Sequence, residues 1–257
     1  MMRISFDLDG VLADMDSALA RIAEREFGRK AGTRDRGAAT GSVGSKTDAV
    51  QESGAAVPGP WSPVPDPDAA AAPPGSAAII ASLTARQQVR LWQVVRETTN
   101  FWESLAEHEP GSVSRLQKLA QELRWDVLFV TQRPSTSGHT AQIQSQRWLR
   151  RHGYNLPSVF TTQGSRGRIA AALTLDAHVD DRLENCVDVA TDSQTWPILV
   201  WRDDASFERI AAGAGKLNVA VVRSVREALD RLEEADRSGE TPAQSRVVDR
   251  LKRAFGL

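Results

Sequence analysis

Two carboxylates stand two residues apart in the segment Ile4-Ser5-Phe6-Asp7-Leu8-Asp9-Gly10-Val11-Leu12-Ala13-Asp14. In an extended chain residues i and i+2 point the same way, so Asp7 and Asp9 can address one site. Carboxylates that close repel each other, and a hard cation such as Mg2+ is the simplest means of keeping one ionised. The other can then carry a proton as a general acid and base. Gly10 lets the backbone turn tightly beside them. A capping turn also accommodates Asp-x-Asp-Gly; the apolar Ile4 and Phe6 before it and Val11-Leu12 after it favour the end of a strand.

Two further places offer compatible chemistry. Thr131 closes the apolar run Val127-Leu128-Phe129-Val130 and precedes Gln132-Arg133-Pro134. Its hydroxyl and the following Gln132 N–H can grip a phosphoryl oxygen, although threonine also ends strands for purely structural reasons. Asp180-Asp181 closes Ala177-His178-Val179. A carboxylate there can complete an oxygen shell for Mg2+ with Asp7 and the Asp9 backbone carbonyl, while its neighbour caps or supports.

The elements that must position these groups follow from periodicity. Apolar runs ending in polar residues predict strands at 3–8, 126–131, 158–161, 177–179, 197–201 and 219–222. Helical spacing predicts helices over 16–27, 84–97, 114–123, 139–152, 168–173, 205–212, 225–234 and 246–255. In the helix at 84–97, Val89, Trp92 and Val95 would share the buried side. Residues 32–76 are dominated by Gly, Ala, Pro and Ser and read as a flexible insertion. Strands alternating with helices predict an α/β fold, a Rossmann-like doubly wound parallel sheet covered on both faces. Ligands of such sheets bind beyond the carboxyl ends of the strands, where Asp7, Asp9, Thr131, Asp180 and Asp181 all fall.

Composition excludes several classes. The 257 residues carry a formal charge of −1, which argues against a binder of nucleic acid polymers. A hydrophobic share of 41% is that of an ordinary globular protein, and no apolar run is long enough to span a bilayer. The single cysteine, Cys186, and the absence of a secretory pattern at the N-terminus point to a reducing, cytoplasmic setting.

Taken in order and spacing, Asp7-Leu8-Asp9-Gly10-Val11-Leu12, Thr131 and Asp180-Asp181 resemble the first, second and fourth motifs of the haloacid dehalogenase superfamily of phosphatases. The resemblance covers about residues 3–14 and 112–202. It implies a Mg2+-dependent phosphomonoester hydrolase in which Asp7 attacks phosphorus and Asp9 protonates the leaving oxygen and then activates water. Thr131 and Gln132 would hold the phosphoryl group; Asp7, Asp9 and Asp180 would hold the metal, with Asp181 in support. An acid at position 9 marks phosphate hydrolysis rather than dehalogenation within that family. The family's third motif supplies a lysine, and none lies between Thr131 and Asp180. Arg166 and Arg168 stand where it is expected, and Arg168 is slightly favoured as the residue leading into the helix.

The same first segment, with Phe101-Trp102-Glu103-Ser104-Leu105 and Pro110-Gly111 downstream, is similar to the 5'(3')-deoxyribonucleotidase branch. That branch implies a catalytic core over 1–14 and 112–236. A small helical cap over 15–111 would follow the first strand and contain the 32–76 insertion, leaving a tail at 237–257. Met15, Phe101 and Trp102 would line the substrate pocket, with the two aromatics beside a nucleotide base. Aromatics on a cap also pack into its own core, so alternatives stay open. The substrate is then another small phosphorylated metabolite such as a sugar phosphate, or the chain is a catalytically weak binding protein of the same fold.

Overall fold

The computed structural model describes residues 1–28 and 80–239. The insertion expected at 32–76 and the helix expected at 246–255 lie outside the described residues. Six strands form one parallel sheet: β1 (Arg3–Phe6), β4 (Asp126–Thr131), β5 (Ser158–Thr161), β6 (Ala177–Asp180), β7 (Trp196–Val200) and β8 (Ala220–Val222), in the order β5-β4-β1-β6-β7-β8. The chain leaves β1 toward β4 and β5, then returns to build outward from the other side of β1. This is the doubly wound arrangement read from the alternating pattern, with its switch point between β1 and β6.

Side-chain alternation sorts the strands between two apolar layers. Ile4, Phe6, Val127, Phe129, Val179, Ile198 and Val200 join one large cluster. Helices α3 (Ser112–Glu122), α4 (Ala141–Arg151) and α8 (Val225–Ser238) add to it through Leu116, Trp148, Leu149 and Leu229. Leu128, Leu199 and Trp201 face the opposite way, where α5 (Arg166–Ala172), α6 (Leu183–Asp192) and α7 (Phe207–Lys216) cover them. Both faces are thus roofed by helices, as a parallel sheet requires.

Between β1 and α3 the chain makes its excursion. It starts and ends in a two-stranded antiparallel ribbon, β2 (Ala13–Asp14) with β3 (Ala106–Glu107). Helices α1 (Met15–Phe27) and α2 (Ala85–Glu97) lie within it and pack on each other. Asp14 caps α1 by accepting from Ser17 N–H at 3.0 Å. Thr84 and Gln87 form a reciprocal capping box at the start of α2. Leu19, Ile22, Leu91 and Val95 belong to the same cluster as the sheet, so the excursion shares the main core.

One expected face shifts. Leu91, Val94 and Val95 are the buried residues of α2, while Val89 is 65% exposed. A spacing of three drifts backward about 60° per step in a helix of 3.6 residues per turn, which carries Val89 off the stripe that Val95 occupies. No described helix is long and apolar enough to cross a membrane.

Candidate functional site

The site begins with strand order. Because β4 and β6 flank β1, the residues at their carboxyl ends meet around Asp7, which follows β1 and donates its N–H to Val179 O at 2.9 Å. Asp7, Thr131 and Asp180 are all buried. Beyond Asp7 the chain closes a turn in which Leu12 and Ala13 N–H groups donate to Leu8 O at 2.8 and 2.7 Å. Gly10 sits in that turn at φ +77°, and a Cβ there would overlap the Asp181 carboxylate. Glycine is required on both counts: the left-handed backbone and the close approach of an acidic side chain.

Asp7, Asp180 and Asp181 each offer a carboxylate oxygen, and these oxygens lie within 4.8 Å of one another. Burial pushes the Asp7 carboxyl well above the usual carboxylate range. The negative charge of Asp180 adds to this, and the Arg166 guanidinium offsets it only partly. Burial likewise raises Asp181, reinforced by Asp180. Asp180 differs. Burial works against its charge, yet hydrogen bonding and charge from His178, together with the Arg182 N–H and Arg166, hold it below the ordinary value. Its Oδ1 accepts from Arg182 N–H at 2.9 Å, and Asn185 Nδ2 reaches both oxygens at 3.1 and 3.0 Å. Behind it, Ser5 Oγ meets His178 Nδ1 at 2.7 Å and His178 Nε2 meets Asp180 Oδ2 at 3.1 Å.

This donor set fits Mg2+. The oxygens are hard ligands, the Asp180 carboxylate is fixed by outer hydrogen bonds, and Asp7 Oδ1 is a buried acceptor without a hydrogen-bond partner. The grouping also moves Asp181 from a supporting place into the cluster itself. The Asp9 side chain pairs with Arg133, which leaves its backbone carbonyl, the oxygen expected to reach the metal, outside that contact.

The cation near Asp7 is Arg166. Its Nη2 lies 3.8 Å from Asp7 Oδ1 and its Nε 4.0 Å from Asp180 Oδ2, with only 5% of the side chain exposed. The expected preference for Arg168 is corrected: Arg168 is exposed. The reason is the helix start. Ser165 Oγ accepts from Arg168 N–H at 3.1 Å, so α5 begins at Arg166. Two helical steps then turn Arg168 about 200° away. Gly167 lets this helix press against α6, since a Cβ there would strike the Asp188 carbonyl.

Thr131 is buried at the end of β4 and its Oγ1 has no hydrogen-bond partner. The Gln132 side chain is exposed and donates to Gln163 Oε1. Met15 is partly buried against the core at the start of α1.

The aromatic pair is corrected as a base platform. Phe101 and Trp102 meet edge to face at 5.0 Å and are 4% and 1% exposed. Trp102 Nε1 donates to Pro134 O at 3.0 Å, and its N–H donates to Gln144 Oε1 at 3.0 Å. Its ring carries the Arg133 guanidinium 5.0 Å from the centroid. These rings are packing elements with no open face.

Two residues that sequence reasoning passed over brace the site. Arg133 binds Asp9 through Nε and Nη2. Arg202 reaches Gly10 O and Val11 O from the end of β7 and pairs with Glu109 at 2.9 Å. An arginine two residues after a strand that ends in a candidate ligand is the one local signal Arg133 gave. No family model and no curated protein matches this chain, so the site's chemistry rests on its own geometry.

Proposed function

We propose that the chain is a Mg2+-dependent phosphomonoester hydrolase acting through Asp7, on a small phosphorylated metabolite. The observation that carries this reading is a set of three buried polar atoms without hydrogen-bond partners, Asp7 Oδ1, Thr131 Oγ1 and Arg166 Nε. Buried polar groups are seldom left so, and unsatisfied groups at the ends of β1 and β4 and at the start of α5 call for a ligand. A nucleophilic acceptor, a hydroxyl donor and a cationic donor together complement a phosphoryl group.

Asp7 attacks phosphorus, and the bond from phosphorus to the ester oxygen breaks. The leaving oxygen takes a proton from Asp9. Thr131 Oγ1 and Arg166 hold the phosphoryl oxygens as charge builds on them. Water then attacks the phosphorylated Asp7, Asp9 accepts the water's proton, and inorganic phosphate leaves as the Asp7 carboxylate is restored. Mg2+ held by Asp7, Asp180 and Asp181 would neutralise charge on the transferring group and orient it.

Nucleotides and sugar phosphates remain substrate classes for this reading, and the buried aromatic pair gives nucleotides no preference. The purified chain is expected to release phosphate from an aryl phosphate only with Mg2+ present. Asp7→Asn should abolish that release; undiminished turnover in this variant would sink the assigned nucleophile.

A further inference from the structure

The Asp9–Arg133 pair joins residues 124 positions apart and is nearly closed to water: the Arg133 side chain is fully buried and that of Asp9 is 11% exposed. Asp9 Oδ1 accepts from Arg133 Nη2 at 2.6 Å and Nε at 3.1 Å, whereas Oδ2 accepts only from Nε, at 2.9 Å. The two oxygens are therefore unequal, and Oδ2 keeps acceptor capacity.

Arg133 is itself held from two sides. Its Nη1 donates to Ser145 Oγ at 2.9 Å, and Ser145 Oγ donates to Ala141 O at 2.7 Å, which fixes the hydroxyl's direction on α4. The Trp102 ring supports the guanidinium from the excursion side and is pinned through Pro134 and Gln144. Such investment of buried polar partners in one arginine goes beyond what a surface loop needs.

We infer that Arg133 is a positioning residue, held by Ser145 and Trp102, that aims Asp9 Oδ2 at the water hydrolysing phosphorylated Asp7. This rests on the proposed hydrolase reading and assigns the pair to its second step. There the water oxygen bonds to phosphorus, its proton passes to Asp9 Oδ2, and the electron pair of the broken phosphorus–Asp7 bond returns to Asp7. That step needs a fixed proton acceptor, and a carboxylate anchored mainly through its other oxygen is one. The packed Trp102 thereby belongs to the catalytic framework.

The test is steady-state labelling with a radiolabelled aryl phosphate and Mg2+, quenched in acid, counting hydroxylamine-sensitive label on the chain. Arg133→Lys keeps the charge and loses the forked geometry. It is expected to lower kcat roughly 100-fold while the labelled fraction rises above wild type, because hydrolysis of the intermediate becomes limiting. Ser145→Ala, which leaves both members of the pair in place, should move both readouts the same way by less. A purely structural role would lower formation and breakdown alike. Label that falls with kcat, or stays at the wild-type level, in both variants overturns the role of Arg133 alone. A wild-type chain that neither turns over nor labels overturns the hydrolase reading and this inference together.

Discussion

Arg166 Nη2 lies 3.8 Å from Asp7 Oδ1, close enough to act on its charge and too far to hydrogen-bond with it. The gap matters because both side chains are buried and the Arg166 Nε also lacks a hydrogen-bond partner. An arginine so placed is poised for a third group, whose oxygens it can grip with two N–H donors. Arg166→Ala should therefore lower kcat/KM for an aryl phosphate by about 100-fold or more, the scale seen when one donor to a transition-state oxyanion is lost. Arg168→Ala, on the exposed side of the same helix, should stay within about threefold of wild type, in line with the small effects of surface substitutions. Equal losses in the two variants would remove Arg166 from the site.

The brace between Arg202 and Glu109 carries a pH signature. Glu109 lies in the turn after β3 and accepts from Val225 N–H at 2.7 Å, Arg226 N–H at 3.1 Å and Arg202 Nη2 at 2.9 Å. Burial alone would raise this carboxyl, but the Val225 N–H, Arg202 and the Arg226 N–H outweigh it, and the net shift is downward. A depressed carboxyl stabilises the fold fully above its unfolded value, near 4.5 here, and the contribution is lost as pH falls through the folded value. Glu109→Gln should thus lower the urea midpoint at neutral pH and narrow its gap to wild type progressively below 4.5. Parallel curves for the two proteins down the acid limb would show that Glu109 is not linked to folding.

How legible all this is in the sequence depends on the range of the interaction. Strands β4 and β5 are readable to the residue, because apolar runs bounded by polar and turn residues are local signals. Asp7, Thr131 and Asp180 could be placed together because a doubly wound sheet brings strand ends together whatever the loops do. The preference for Arg168 over Arg166 follows from starting α5 two residues late, and Ser165 carries the true start as a capping residue. Arg133 was out of reach for a different reason. Its partners, Asp9, Ser145 and Trp102, come from three separate segments, and no periodicity links them. The burial of Trp102 is a tertiary fact of the same kind, invisible in an aromatic pair that suits a core and a pocket equally well.

If the acidic cluster holds Mg2+ as proposed, metal-free and metal-loaded stability respond in opposite directions to one substitution. Asp7 and Asp181 are both raised by burial and by the Asp180 charge, so the three carboxylates oppose one another. Asp181→Asn removes an ionisable group whose charged form burial and Asp180 penalise, and keeps its shape beside Gly10. In chelator, this variant should melt at or above the wild-type temperature. A ligand bound only by the folded state stabilises by RT ln(1 + [L]/Kd), about 2.7 kcal/mol at a hundredfold excess over Kd. For a domain of this size that corresponds to an upward shift of roughly 5–10 °C. Wild type should show such a shift with Mg2+, whereas Asp181→Asn should show a much smaller one, reversing the order of the two proteins. Thermal unfolding with and without Mg2+ reads this directly. If Asp181→Asn gains as much from Mg2+ as wild type, Asp181 does not hold the ion.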